Sequence, residues 1–300
     1  MKCWLCVFAG QIKRSLVFFL LSVVTMMLAL GCIPKAEVTS RHPAVRVVGS
    51  TALLPVARDA AQLMGVTKRA AGVEVFGGGS LTGLQQVAGG WADVALSLVE
   101  PPPGEPLYRG LTGKVLGVMP LVLVVHPAVR VDNLSKDDAT RIFLGQVKNW
   151  AELGGPDIPI VIVNRGKSSG SRQLIKRLVL GGREFTGNAR LVNSDFEVRK
   201  EVASTPGAIG YLGATYLNGS VKALKYNGIE CTIENVANGS YPLYGLARVY
   251  TRGKPEGTVQ SYSELLLKES FLLEEAKKGL VPLRILKKGP ETSQSGVKGR

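Results

Sequence analysis

Three stretches of the chain repeat one local pattern: a short apolar strand, a loop of Gly with Ser or Thr, then a helix. Strand 45–48 runs into Gly49-Ser50-Thr51 and a helical run over 53–64. Strand 73–76 runs into loop 77–80 and a run over 84–88, and strand 160–163 into loop 165–171 and a run over 174–180. Each loop aims a helix N-terminus, with unpaired backbone N–H groups and nearby hydroxyls, at one place. A helix N-terminus attracts anions. Three of them with one arginine, Arg165, predict a cage for a small oxyanion.

The third loop, Arg165-Gly166-Lys167-Ser168-Ser169-Gly170-Ser171, looks at first like the end of a nucleotide P-loop. That motif needs glycine five residues before Gly166, where Val161 stands, so a P-loop NTPase is disfavoured. Arg165 instead offers a planar fork for two oxyanion oxygens. Ser169 and Ser171 offer hydroxyls, and Gly170 and Ser171 offer the N–H groups that open the helix. Taken alone, this loop reads equally well as a flexible turn with a surface arginine, and the glycine-rich second loop as an ordinary turn. The first is stronger, because Ser50 or Thr51 can cap and Pro55 suits a first turn. The occurrence of all three in one chain favours the anion reading.

Other chemistries have little material. His42 and His126 are the only histidines in 300 residues, which leaves no basis for a histidine metal centre or a Ser-His-Asp triad. The four cysteines, Cys3, Cys6, Cys32 and Cys231, give no metal-ligand spacing. The formal net charge of +14 permits nucleic-acid or anionic-membrane binding. The basic residues are scattered, however, and no nucleic-acid-binding motif is present, so no nucleic-acid partner is expected.

Residues 1–31 read as an export signal: Lys2, Lys13 and Arg14 precede an almost wholly apolar stretch over 15–30. The ending Leu28-Ala29-Leu30-Gly31-Cys32 resembles a bacterial lipobox, with Ala29 where leucine is usual. Lipidation of Cys32 and an exported, membrane-anchored location, periplasmic or at the cell surface, are expected. Cys3 and Cys6 leave with the signal, so no disulfide framework remains.

The hydrophobic fraction of 45% and the 36 glycines suit an α/β chain with many tight strand–helix turns. Residues 32–44 read as a tether. A long apolar strand over 115–125, with Gly117 and Pro120 inside it, could cross between two lobes, and a stretch from Ser240 through Tyr250 could return. Ser135 is placed to cap a helix through Phe143, with Asp138 completing a capping-box-like arrangement. One amphipathic helix is expected over 262–279, and residues 288–300 read as a polar tail.

These residues make the chain resemble the periplasmic phosphate-binding proteins that feed ABC phosphate importers. The matching stretches are GSTALLP, GGGSLTG, ADVALS, NLSKDDATRIFLGQVKNWAELGG, RGKSSGSR, TPGAIGY and NGSYPLYG. The resemblance implies a two-lobed, type II binding-protein clamp with hinge strands between the lobes. Lobe 1 is expected over 45–123 with 236–287, and lobe 2 over 124–235. It implies a monomeric, non-enzymatic receptor without cofactor or metal, which captures phosphate or a similar tetrahedral oxyanion and docks on an ABC transporter permease. By matching position, Thr51 and the Ala52 N–H hold the anion from the first loop and Ser80 from the second. Arg165, Ser169, Gly170 and Ser171 hold it from the other lobe, with Ser50 and Ser97 beside them.

Two positions depart from the family pattern. Leu98 stands where a carboxylate or arginine is frequent, and a carboxylate there favours protonated phosphate over sulfate. Glu100 is the nearest candidate replacement. Lys167 stands where an acid can brace the arginine, which predicts a less well oriented Arg165. The alternatives are a degenerate homologue acting as sensor or adhesin, and a phosphate-ester hydrolase with Ser80 or Ser169 as nucleophile.

Overall fold

The computed structural model describes residues 45–67 and 72–287. The expectations for the signal 1–31, lipidated Cys32, the tether 32–44 and the tail 288–300 fall outside the described residues. Among the described residues, no helix is long and apolar enough to cross a membrane.

Alternating apolar strands and capped helices build one curled ten-stranded sheet. In its first half, β1 (Val45–Gly49) lies between β2 (Val73–Phe76) and β3 (Val94–Ser97), all parallel. A 15-residue strand, β4 (Leu111–Val125), then runs antiparallel to the later β11 (Tyr244–Arg252), which also pairs with β3. From Leu121 onward β4 leaves that half and pairs with β8 (Ala208–Gly213) of the second half. There β6 (Val161–Arg165) runs parallel to β8 and to β7 (Arg190–Val192). Pro120, which has no N–H to give to a ladder, sits at the changeover. The short strands β9 (Lys222–Ala223) and β12 (Val281–Pro282) also pair with β4. β5 (Asn133–Leu134) and β10 (Lys225–Tyr226) form a separate parallel pair.

Four of the helices start where a side chain satisfies one of their first N–H groups. α1 (Leu54–Thr67) continues a 3₁₀ turn over Thr51–Leu53, and α2 (Ser80–Ala88) starts at Ser80 itself. α3 (Lys136–Phe143), α4 (Gly170–Leu178), α5 (Asp195–Ser204) and α6 (Ile233–Ala237) are capped by the oxygens of Ser135, Ser169, Ser194 and Thr232. The Ser135 cap is as expected, but the Asp138 carboxylate accepts the Ser135 hydroxyl rather than a backbone N–H. A full capping box forms instead at Asn149, with Glu152.

Three of the expected boundaries shift. α2 and α4 begin four residues before the first apolar residues used to place them; the Ser169 cap sets the start of α4, whereas α2 follows Gly79 with no side-chain cap. The single terminal helix is two, α7 (Gly257–Leu267) and α8 (Glu269–Ala276), broken at Lys268 in extended conformation. The break lets Tyr262 and Leu266 on one helix and Phe271 and Leu272 on the other each reach the core.

One core spans both halves of the sheet. Smaller clusters fill the space under α2 (Val48, Leu84, Val87, Tyr250) and under α5 (Val122, Val163, Val198, Leu212). Trp150, fully buried, donates its indole N–H to the Gly207 carbonyl at 2.9 Å and so ties two of the quoted stretches together.

Candidate functional site

The strand ends deliver the three loops to one place. Thr51 and Ser80 lie at the helix starts that follow β1 and β2, and both are buried. Ser80 Oγ accepts the Leu98 N–H at 3.0 Å, which leaves its own hydroxyl hydrogen for another acceptor. Gly170, the first residue of α4, packs so close that a Cβ there would sit 2.2 Å from Ser80 Oγ. At Gly79 (φ 98°) a Cβ would sit 2.5 Å from the Ser168 carbonyl oxygen. Two hydrogen bonds clasp these loops: Leu81 N to Ser168 O at 3.1 Å and Ser168 Oγ to Gly78 O at 2.8 Å. Three helix N-termini, those at Thr51, Ser80 and Gly170, therefore converge. The first N–H groups of each have no partner within the helix, so together they form a field of donors.

Arg165 ends β6 and is 2% exposed. Its Nη1 meets Asp195 Oδ2 at 2.6 Å, in an ion pair whose acid is fully buried. Nη2 donates to Thr51 Oγ1 at 2.9 Å and to the Asn193 carbonyl at 2.9 Å, and Nε donates to the Val192 carbonyl at 3.3 Å. These bonds use four of the five guanidinium N–H hydrogens, so the fork read from the sequence is largely spent inside the protein. Asp195 also accepts the Thr51 hydroxyl at 2.6 Å and the Gly213 N–H at 2.8 Å. As the first residue of α5 it sits at a fourth helix N-terminus, which favours its charge.

Lys167 does not leave Arg165 poorly oriented. The bracing acid arrives from α5 instead, and that expectation is corrected. Glu100 does not replace the missing carboxylate at Leu98, because it pairs with Arg248 at 2.6 Å. Ser97 is buried, but its hydroxyl is engaged locally, donating to Val99 O and accepting from Val99 N. Ser169 Oγ caps α4 by accepting the Arg172 N–H. Ser50, Ala52 and Ser171 are buried alongside.

Sequence reasoning missed Asp195, Asn164, Tyr211 and Arg172. Asn164 Oδ1 accepts both the Arg165 N–H at 2.8 Å and the Tyr211 hydroxyl at 2.5 Å. Burial pushes the Tyr211 hydroxyl well above its ordinary pKa, so it stays protonated as a donor. Arg172 Nη1 donates to the Arg165 carbonyl at 2.8 Å, and its guanidinium lies over the Phe185 ring. The one available signal for Asp195 was Ser194 followed at Glu197 by an acid, a capping pattern that says nothing about which first-turn acid turns inward.

Known proteins match this chain both in sequence and in fold. A family model described as a PBP superfamily domain matches residues 35–270. The phosphate-binding protein PstS of Bacillus subtilis is 33% identical over 272 residues, covering 86% of this chain and 90% of the relative. The chain belongs to the PBP superfamily, among the PstS phosphate-binding proteins. In structure, a phosphate ABC transporter substrate-binding protein from Clostridium perfringens, solved with bound phosphate, superposes with a TM-score of 0.75. It is 27% identical and covers 80% of this chain and 99% of its own. An ABC-type phosphate transport receptor from Vibrio cholerae gives a TM-score of 0.65 at 25% identity, over 79% of this chain and 99% of its own.

The PstS proteins are binding proteins, not enzymes, and the two-lobed α/β clamp is their fold. The hydrolase alternative falls with that assignment. Its proposed nucleophiles, Ser80 and Ser169, receive backbone N–H groups, and no base is bonded to either among the described residues. Burial pushes the Cys231 thiol up to about 12, which keeps it protonated at neutral pH.

Proposed function

We propose that this chain is the extracytoplasmic receptor of an ABC phosphate importer. Inorganic phosphate enters an open cleft between a lobe of 45–123 with 236–287 and a lobe of 124–235. The lobes then close, and the closed monomer docks on the permease. The convergence of three helix N-termini on Thr51, Ser80 and Gly170, beside the buried Arg165, carries this reading. A buried oxyanion must be met by hydrogen bonds. The donors would be the Ala52, Gly170 and Ser171 N–H groups, the Ser80, Ser169 and Ser171 hydroxyls and the last Nη1 hydrogen of Arg165, with Ser50 and Ser97 shaping the walls.

β4 runs from one half of the sheet into the other and the chain returns beside it at Tyr241–Leu243, which supports a hinge there. Leu121 N donates to Leu243 O at 2.8 Å, and the Tyr241 hydroxyl donates to Leu121 O at 2.7 Å. Export with a lipid on Cys32 would keep the receptor beside its permease.

Titration calorimetry of the protein from residue 33 onward, freed of anion, tests the reading. Saturable binding of one phosphate per chain is expected. Absence of phosphate heat from a folded protein would refute it and favour the sensor or adhesin alternative.

A further inference from the structure

α7 carries two different stripes. Tyr262 and Leu266 enter the core, whereas Gln260, Ser263, Glu264 and Leu267 line a cavity of about 260 Å³. On its other side β4 and β11 supply Thr112, Lys114, Val249 and Thr251. Alternate residues of a strand share a face, and the register sets Thr112 beside Thr251 and Lys114 beside Val249. Lys254 and Pro255, from the turn after β11, complete the lining. The cavity lies away from the anion cleft, because Thr251 pairs with Val94, at the end of β3 opposite Ser97.

This lining mixes apolar walls with unspent polar groups. Val249, Pro255 and Leu267 supply the apolar part. Ser263 is 6% exposed and its Oγ has no hydrogen-bond partner, although buried hydroxyls are nearly always paired. The Lys114 and Lys254 ammonium groups make no ion pair or hydrogen bond among the described residues. Glu264, the one acid on the lining, accepts Gln260 Nε2–H at 2.7 Å. Two ammonium groups against one carboxylate leave a net positive charge beside apolar surface.

We infer that this cavity is a second ligand site, which takes a small organic carboxylate with an apolar body. The carboxylate meets Lys114 and Lys254, both exposed, and the body packs on Val249, Pro255 and Leu267. Ligand sites combine such apolar walls with a few placed polar groups. The volume falls just under the roughly 300–1,000 Å³ of drug-sized ligand pockets, so the occupant is small. Inorganic phosphate is a poor occupant, since it would leave the apolar walls uncovered. The site does not depend on the phosphate-receptor reading.

The test is methyl NMR of the protein in excess phosphate, titrated with benzoate and with benzyl alcohol, its neutral counterpart of similar shape. Benzoate should shift the Val249 and Leu267 methyl signals saturably, and benzyl alcohol should bind at least about tenfold more weakly. Lys114→Gln with Lys254→Gln should lower benzoate affinity by about tenfold or more, to the level of the alcohol. Thr112→Tyr, which fills the cavity from an exposed strand position, should abolish the benzoate shifts and leave phosphate affinity unchanged. Thermal unfolding checks that each variant is folded. The inference fails if benzoate gives no saturable shift at Val249 and Leu267, if the alcohol binds equally well, or if the double lysine variant keeps wild-type affinity. Saturable shifts of the same methyls by phosphate alone would also overturn it, as lysines that attract any anion. Each of these results leaves the phosphate receptor standing, and a protein that binds benzoate here but no phosphate in the cleft would strike only the receptor.

Discussion

The buried pair Arg165–Asp195 sets what the site can do. An ion pair taken out of water gains little net stability, yet removing one partner leaves an uncompensated charge. Asp195→Ala should therefore cost about 3–5 kcal/mol in urea unfolding, and Arg165→Ala a comparable amount. The double variant should lose clearly less than the sum, because the groups share one network through Thr51. Simple additivity would mean that the pair is not coupled. The sequence named Arg165 and Thr51 but not the acid between them. An acid in the first turn after a serine cap is usually solvated, and only the packing of α5 against β8, with Gly213 N–H meeting the carboxylate, turns this one inward.

At the scale of elements, legibility followed the local signal. The strand before each loop, the Ser135 cap and the Pro206-Gly207 turn into β8 rest on capping, turn chemistry and apolar runs, and all appear within a few residues of their expected places. The break at Lys268 has no glycine or proline to mark it. It follows from the need of α7 and α8 to face different parts of the core, which no local pattern encodes. The approach of α4 to α2 is equally non-local, yet it explains Gly170, where a methyl would strike Ser80 Oγ. Gly170→Ala is compatible with a helix start, so the chain should still fold, at a cost of about 1–3 kcal/mol where the crowded loops must give. What should fail is the approach of the two loops. Phosphate affinity should fall by about 10- to 100-fold, since closure would need the loops to move apart. X-ray scattering should show wild type contracting with phosphate while the variant stays expanded. Wild-type affinity in Gly170→Ala would mean that the loops do not meet this closely when the ligand is bound.

For the whole molecule, charge and site divide the labour. The site's two buried arginines are each paired with an acid, Arg165 with Asp195 and Arg172 with Glu184, so affinity must come largely from oriented N–H groups and hydroxyls that act only at contact. Attraction at longer range must come from the surface. The chain's net charge is +14, and without residues 1–31, which hold Lys2, Lys13, Arg14 and no acid, it is 14 − 3 = +11. Such a field raises the arrival rate of anions and is screened over about 10 Å at 0.1 M salt, whereas hydrogen bonds inside a closed cleft are barely screened. Raising the ionic strength should therefore slow phosphate association by about tenfold between about 0.01 and 1 M inert salt, with little change in dissociation. Stopped-flow fluorescence with a probe at the cleft mouth measures both rates. Replacing exposed lysines such as Lys114 and Lys254 by glutamine should lower the association rate in small, cumulative steps without altering dissociation. If salt instead accelerated dissociation and left association constant, the anion would be held by uncancelled charge in the cleft, and the neutral Arg165–Asp195 pair could not be the state that binds it.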